Sequence, residues 1–174
     1  WALKIVPGQG IQADLATVKG LVEEKEYFKA LYLLEIMPEN IESAALKYQC
    51  KLKVSENSAI RYFDVIQEKY RGDEQYPAVM ESIMHLVLDS DLRTDAVIKN
   101  GLDAAERLLR SGRNGDYRVH EAMGILCYRY GESFKRKGVQ ALENSIPAAK
   151  MNRVGDDVIK HLEEQVKIYR EKLD

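Results

Sequence analysis

The sequence predicts an all-α fold built from antiparallel helix hairpins, and three observations support this prediction. Apolar residues recur at steps of three and four along almost the whole chain, which is the period of an amphipathic helix. Only four prolines interrupt 174 residues, and no segment shows the apolar and polar alternation of a β-strand. Hydrophobic residues at 45% and charged residues at 31% suit a packed core with a solvated surface. We therefore predict an extended lead-in over 1–10 and one helical-repeat domain over 11–174.

Turn and capping residues set the boundaries of the predicted helices. Pro38 ends the second helix, because a proline disfavours helical backbone in the residue before it. The polar segment 55–58 offers capping oxygens to the fourth helix, and Pro77 suits the first turn of the fifth. Pro147 is expected to bend or end the eighth helix. The predicted helices span about 12–24, 27–37, 41–54, 58–70, 77–88, 93–110, 118–130, 137–150 and 155–173.

Successive helices are expected to form hairpins, because the segments that join them are short. The turns at 71–73 and 89–91 and the glycine-containing loop at 111–116 separate the later helices. The Arg-Gly-Asp letters at 71–73 are read as one of these turns rather than as a recognition motif. The ninth helix is polar along much of its length, which suits a cap that faces water on one side.

Small and apolar residues recur at matching places in the second helix of three hairpins. The steps of four and three are the same in each set. The three sets are Ala59, Phe63 and Ile66; Gly101, Ala105 and Leu108; and Ala141, Ser145 and Ala148. The facing positions on the preceding helices are Leu46 and Cys50, then Met123, Gly124 and Cys127. Small residues at these places predict close crossings between helices.

This pattern resembles the tetratricopeptide repeat family, in which a unit of about 34 residues forms a helix hairpin. The best stretch is 43–71, where Leu46, Cys50, Ala59, Phe63 and Ile66 fall at repeat-like spacing. The later units are longer, since 42 residues separate Ala59 from Gly101 and 40 separate Gly101 from Ala141. The resemblance implies a right-handed solenoid of about nine helices. It also implies a concave surface, lined by the first helix of each pair, that holds a peptide, a helix or a folded partner. The alternative fold is a non-repeating helical bundle.

The charge balance argues against nucleic acid and anionic membranes as partners. Lys and Arg total 26 against 28 for Asp and Glu, so no global positive field exists. Charge is nevertheless uneven: the first two helices are acidic, whereas Lys135, Arg136 and Lys137 form a basic cluster. This cluster is interpreted as solvated helix ends, as a docking patch for an acidic partner, or as one half of a head-to-tail self-association.

No apolar run approaches the roughly 20 residues that span a bilayer, which predicts a soluble domain without direct membrane insertion. A cytoplasmic location is favoured over a periplasmic one. The chain begins at Trp1 rather than at Met, which favours a domain of a larger protein. Cys50 and Cys127 lie among apolar residues and are predicted to be buried thiols rather than a disulfide.

The sequence contains no arrangement that indicates catalysis, a metal or another cofactor. His85, His120 and His161 are far apart, whereas a helical metal site needs ligands one turn apart. The segment 7–10 lacks the Lys-Ser/Thr of a phosphate-binding loop and does not follow a strand. Cys127 and His120 are seven residues apart, which is two turns of a helix, so the thiol is expected to lie beyond hydrogen-bond reach of the imidazole.

The predicted function is therefore that of a non-catalytic protein–protein interaction scaffold or adaptor in a larger protein or multiprotein assembly. Its partner is expected to be another protein or a peptide segment. The alternative is a helical enzyme or small-ligand carrier with an interior pocket, which would hold a deep cavity with convergent polar groups. The candidate partner-binding residues, chosen from helix order, are Tyr48, Lys51, Met80, Met84, His85, Tyr128 and Arg129.

Overall fold

The computed structural model describes residues 14–91 and 94–173, and this part of the chain contains nine α-helices and no β-strand. The prediction of an all-α fold is confirmed. The predicted lead-in over 1–10 lies outside the described residues. The helices are α1 (Leu15–Glu23), α2 (Tyr27–Ile36), α3 (Ile41–Val54), α4 (Glu56–Tyr70), α5 (Tyr76–Leu88), α6 (Asp95–Leu108), α7 (Tyr117–Tyr130), α8 (Glu132–Met151) and α9 (Asp156–Glu171).

The chain divides into two compact units, one ending at Gln75 and the other beginning at Tyr76. In unit 1, each of the helices α1 to α4 packs against the next, and α1 also contacts α3. In unit 2, each of the helices α5 to α9 packs against the next, and α5 also contacts α7. Packing is thus mostly between neighbours in the chain. Whether 11–174 forms one domain stays a prediction.

Side-chain caps fix several helix starts. Asn40 accepts a hydrogen bond from the backbone N–H of Ser43 at 3.0 Å, and the hydroxyl of Ser43 reciprocates towards the N–H of Asn40. Asp14 accepts from the N–H of Thr17 at 2.7 Å and starts α1. The fourth helix was predicted to begin at about 58, but α4 begins at Glu56. Ser55 is the only residue between α3 and α4.

The largest boundary error concerns α8, which begins at Glu132, five residues before its predicted start at 137. The break between α7 and α8 is a single residue, Gly131, with φ of 154°. Glycine has no Cβ and adopts this conformation without steric cost, so no longer loop is needed. Pro147 lies inside α8 and does not end it. Its side chain is exposed. Proline has no N–H to donate to the carbonyl oxygen one turn earlier, and on the exposed side of a helix water can bond to such an oxygen instead.

Helices α7 and α8 approach each other closely at two glycines. A Cβ atom on Gly124 would lie 2.5 Å from Cγ of Leu142 and 2.9 Å from the carbonyl oxygen of Gly138. A Cβ on Gly138 would lie 2.7 Å from the carbonyl oxygen of Gly124. Gly101 of α6 is similarly enclosed, since a Cβ there would lie 2.8 Å from Cγ1 of Val87. The prediction of close crossings is therefore confirmed at Gly101 and Gly124.

The predicted sixth helix ends earlier than expected, because a π-helical turn over Leu109–Arg113 follows α6. Gly112 within this turn has φ of 94°, a left-handed conformation that favours glycine. Arg113 then donates two hydrogen bonds to Glu81 of α5, at 2.6 and 3.1 Å, and pairs with Asp116. These contacts attach the loop to α5.

In the described part of the chain, every helix is either too short or too polar to cross a lipid bilayer.

Candidate functional site

Three exposed apolar side chains lie on successive turns of α2. Phe28 is 75% exposed, Tyr32 58% and Ile36 45%. Residues four apart lie on the same face of a helix, so these side chains form one continuous row. We call this row the α2 ridge. The opposite face of the helix packs into the core of unit 1 through Ala30, Leu33 and Leu34, which are all buried.

The local sequence explains why the ridge exists. Helix α2 reads YFKALYLLEI and contains only two charged residues, Lys29 and Glu35. It is therefore apolar around nearly its whole circumference, whereas a surface helix normally has a polar outer face. Helices α1 and α3 cover only part of that circumference. A continuous row of large apolar side chains at the surface is typical of an interaction site, since exposed apolar residues of a monomer are usually scattered singly.

A network of charged side chains ties α2 to α3. Lys47 Nζ lies 3.2 Å from a carboxylate oxygen of Glu35 and 3.8 Å from one of Glu39. Lys51 Nζ lies 3.3 Å from the other oxygen of Glu35. The side chain of Lys47 is only 9% exposed, whereas that of Glu35 is 49% exposed. The lysines thus lie beneath the glutamates, and the carboxylates face outwards.

The same network reaches α4. Tyr62 donates a hydrogen bond from its hydroxyl to Glu39 at 2.9 Å, and Lys69 pairs with Glu39 at 2.8 Å. The ammonium groups of Lys47 and Lys51 also lie 5.2 and 5.5 Å from the centre of the Tyr62 ring. We call this set the charge network: Glu35, Glu39, Lys47, Lys51, Tyr62 and Lys69. Through Glu35 the network links α2 to α3, and through Glu39 it links the turn after α2 to α4.

The pKa values of the two glutamates reflect these contacts. Burial raises the pKa of Glu35, but hydrogen bonds and charges from Lys47 and Lys51 outweigh it and lower the pKa overall. The hydrogen bond from Lys69 is the main cause that lowers the pKa of Glu39, against a smaller effect of burial and with support from Tyr62. Burial also raises the pKa of Tyr62 well above its ordinary value. At neutral pH Glu35 and Glu39 are therefore ionised, and Tyr62 is a neutral hydrogen-bond donor.

A shallow groove of about 380 Å³ lies beside the network, between the end of α3 and the start of α4. Lys51 donates a hydrogen bond to the hydroxyl of Ser58 across it, at 3.3 Å. The groove is lined by Lys51, Ser55, Asn57, Ser58, Arg61, Tyr62 and Val65. The groove is open to solvent and Val65 is exposed, which suits a peptide surface better than an enclosed ligand.

Three of the predicted partner-binding residues are not at the surface. Tyr48, Met80 and Met84 are fully buried, and Tyr48 packs edge-on against Phe63 with ring centres 6.3 Å apart. The expectation that they line an exposed groove is wrong. The reason is that α3 and α5 each pack on neighbours along more than one side, so apolar positions assigned to an outer face are used in the core.

The other predicted partner-binding residues are wholly or partly accessible. Lys51 belongs to the charge network. His85 is exposed on α5, and Arg129 donates to the carbonyl oxygen of Leu88 at 2.7 Å. Tyr128 is half-buried and packs edge-on against Tyr169 of α9, with ring centres 4.4 Å apart. A role for these four in binding stays a prediction, and each already makes or borders contacts within its own unit.

The predicted basic patch lies at the start of α8. Lys135 pairs with Glu132 at 2.6 Å and lies 5.0 Å from the centre of the Tyr128 ring. Lys137 pairs with Glu106 at 2.9 Å, and Arg136 is exposed. Two of the three cations thus have acidic neighbours, which reduces the positive field available to an acidic partner. The use of the patch as a docking site stays a prediction.

No group of three or more His, Cys, Asp or Glu side chains is placed to hold a metal ion in residues 14–91 and 94–173. Cys50 and Cys127 are both buried free thiols, and burial raises the pKa of Cys50 to about 11. A neutral thiol in an apolar environment is a poor nucleophile, so Cys50 serves as a core residue.

A cavity of about 630 Å³ in unit 2 lies at the loop that follows α6. Its lining includes Arg113 and Arg118, which both pair with Asp116. Glu81 also pairs with Arg113, so the two carboxylates balance the two arginines of this cavity. We therefore treat it as a loop surface rather than as a site.

The α2 ridge was missed at the sequence level. Phe28, Tyr32 and Ile36 were not among the predicted partner-binding residues. The signal that could have revealed them is the composition of α2, which has too many apolar residues for one buried face.

A scan of protein-family models and searches of curated proteins and of solved structures found no match to this chain.

Proposed function

We propose that this chain is a non-catalytic interaction module that binds another protein through the α2 ridge of unit 1. The single observation that carries the proposal is the exposure of Phe28, Tyr32 and Ile36 on three successive turns of one helix. Covering such a row with a partner removes apolar surface from water at about 25 cal/mol per Å². The ridge therefore offers a source of binding free energy without any reactive group.

The charge network supports this proposal because it holds the ridge in place before a partner arrives. Glu35 of α2 pairs with Lys47 of α3, and Glu39, in the turn that follows α2, pairs with Lys69 of α4. A helix that is already fixed loses little conformational entropy on binding, which favours affinity. The groove beside the charge network is a second accessible surface of unit 1 and includes the exposed Val65.

We also propose that the helices stack in the manner of a tetratricopeptide-like solenoid. The packing of consecutive helices, together with the contacts of α1 with α3 and of α5 with α7, supports this arrangement. The proposed binding surface differs from the concave groove that the family resemblance implies. It lies on the second helix of the first hairpin, since core packing uses Tyr48 of α3.

Affinity capture from cells that produce the full-length parent protein tests the proposal. Wild type is compared with the variant Phe28→Gln/Tyr32→Gln/Ile36→Gln, in which glutamine retains helix propensity while removing the apolar row. The matched control is Met151→Gln/Ile168→Gln, which removes two exposed apolar side chains of unit 2.

We expect a defined set of proteins to be captured by wild type and by the control, and to be lost or reduced at least tenfold with the ridge variant. Circular dichroism and thermal unfolding of all three proteins verify that they are equally folded. Capture that is the same with the ridge variant as with wild type would contradict the proposal.

A further inference from the structure

We infer that the partner that covers the α2 ridge is an amphipathic helix with basic residues beside its apolar stripe. This inference rests on the proposed function and adds the chemistry of the partner. It follows from the shape of the ridge, from its area and from the charges at its ends.

The shape of the ridge matches a helix. Phe28, Tyr32 and Ile36 form a row at steps of four residues, which extends about 12 Å along the axis of α2 at 1.5 Å per residue. Rows at this spacing are the ridges that fit into the groove between rows on another helix, with the two axes crossing at about 50°. An extended strand, by contrast, gains affinity from backbone hydrogen bonds at a sheet edge, and no sheet exists among the described residues.

The area of the ridge favours a single docked helix over a second copy of this chain. The exposed fractions of the three side chains correspond to about 300–400 Å², taking about 150–250 Å² for each large apolar side chain. A stable dimer buries about 800 Å² on each partner. Ridge-to-ridge packing of two copies therefore supplies about half of the area required, whereas a short helix needs only this row and its borders.

The charges at the N-terminal end of the ridge are mainly acidic. Glu23, Glu24 and Glu26 surround the turn that precedes Phe28. Lys25 lies among them, and Lys29 is held by Glu26 at 3.0 Å. Beside the C-terminal end of the ridge, the outward-facing group of the Glu35–Lys47 pair is the carboxylate, because Lys47 is buried beneath it. Two copies would bring these acidic surroundings together, whereas Lys or Arg residues on a partner helix would complement them.

A peptide library tests this inference. The library displays helices with leucine fixed at four positions spaced four residues apart, and with flanking positions drawn from Lys, Glu and Gln. Selection is carried out on the full chain and, in parallel, on the variant Phe28→Gln/Tyr32→Gln/Ile36→Gln. The enriched peptides are then measured by fluorescence anisotropy.

We expect lysine to be enriched at the flanks and the selected peptides to bind wild type at least tenfold more tightly than the ridge variant. The substitutions Glu23→Gln/Glu24→Gln should weaken binding about threefold to tenfold, since exposed charge pairs each contribute modestly to affinity. Glu164→Gln/Glu171→Gln, two exposed glutamates of α9, should leave binding unchanged.

Other outcomes overturn the inference in distinguishable ways. Ridge-dependent peptides without a preference for lysine would overturn the basic partner while leaving the proposed function intact. Equal recovery on the ridge variant would overturn the helical occupant, and affinity capture that still depends on the ridge would then retain the proposed function. A dimer of wild type in light scattering that is absent in the ridge variant would assign the surface to a second copy.

Discussion

The two units differ in how their exposed large apolar side chains are arranged. In unit 1, α2 leaves three large apolar side chains exposed on successive turns, although its other face is fully packed. In unit 2, the exposed large apolar side chains Met151 and Ile168 lie on two different helices. The interior of unit 2 instead contains the closest helix crossing described, at Gly124 and Gly138. The comparison indicates that unit 2 uses its small residues for internal packing, whereas unit 1 retains apolar area that internal packing does not use.

The largest expected effect is on the free energy of unfolding, and it distinguishes the buried face of α2 from its exposed face. Leu34→Ala should lower the free energy of unfolding by about 2–5 kcal/mol, because it removes a buried side chain and leaves a cavity. Tyr32→Ala on the exposed face of the same helix should change it by less than about 0.5 kcal/mol. Urea unfolding of both variants provides the measurement. A loss at Tyr32 as large as that at Leu34 would mean that the ridge is part of the core.

The next effect concerns the close crossing in unit 2. Gly124→Ala should destabilise the protein by about 1–3 kcal/mol, because its Cβ would collide with Leu142 and with the backbone of Gly138. Gly20→Ala in α1 is the control, since a Cβ there meets no atom within 4 Å. This control should stabilise the protein by about 0.5–1 kcal/mol, because alanine favours the helix. Thermal unfolding that ranks the two variants in the opposite order would contradict the described packing.

A smaller effect follows from the charge network in unit 1. The lowered pKa of Glu39 means that its contribution to stability is present above the unfolded value of 4.5 and is lost as the pH falls through the folded value. Glu39→Gln should therefore destabilise the protein by about 1 kcal/mol at pH 7, the usual size of one net hydrogen bond, and have little effect at strongly acidic pH. Unfolding curves from pH 2.5 to 7 test this. A penalty that does not change with pH would show that the charge of Glu39 is not involved.

The smallest expected effect is a gain of stability, and it concerns Glu121 in unit 2. Burial raises the pKa of Glu121, while the charge of His161 partly opposes this. The contribution of Glu121 is therefore favourable below 4.5 and is lost as the pH rises through the folded pKa. Glu121→Gln should raise the Tm at pH 7 by about 1–2 °C, the shift expected for about 0.5 kcal/mol in a chain of this size. Scanning calorimetry that shows a lower Tm for this variant at pH 7 would contradict the assignment.

Much of the fold could be predicted from the sequence because its signals are local. Apolar periodicity and breaks such as Pro38 located all nine helices of the described residues, and α3 has the predicted bounds. The start of α8 was misplaced because Gly131 alone makes the break, which a search for polar loops does not detect. Of the two predicted effects of Pro147, the ending of the helix is wrong, because a proline on the exposed side of a long helix is tolerated, and the bend stays a prediction.

The candidate site was less predictable because burial depends on which faces of a helix have neighbours. Met80 and Met84 were assigned to a surface from helix order, but α5 packs against both α6 and α7. Phe28, Tyr32 and Ile36 were not among the predicted partner-binding residues, since periodicity alone does not show how much of a helix its neighbours cover. Lys51 is partly accessible because its long side chain reaches the surface from a mostly buried helix.

Site-specific photo-crosslinking tests the central claim most directly. A photoreactive phenylalanine analogue is placed in the full-length protein at position 32, on the ridge, or at position 53, where the exposed Lys53 lies on α3. We predict that irradiation in cells yields a discrete adduct with another protein from position 32 and none from position 53. No adduct from position 32, or the same adduct from both positions, would contradict the claim that the α2 ridge is the binding surface.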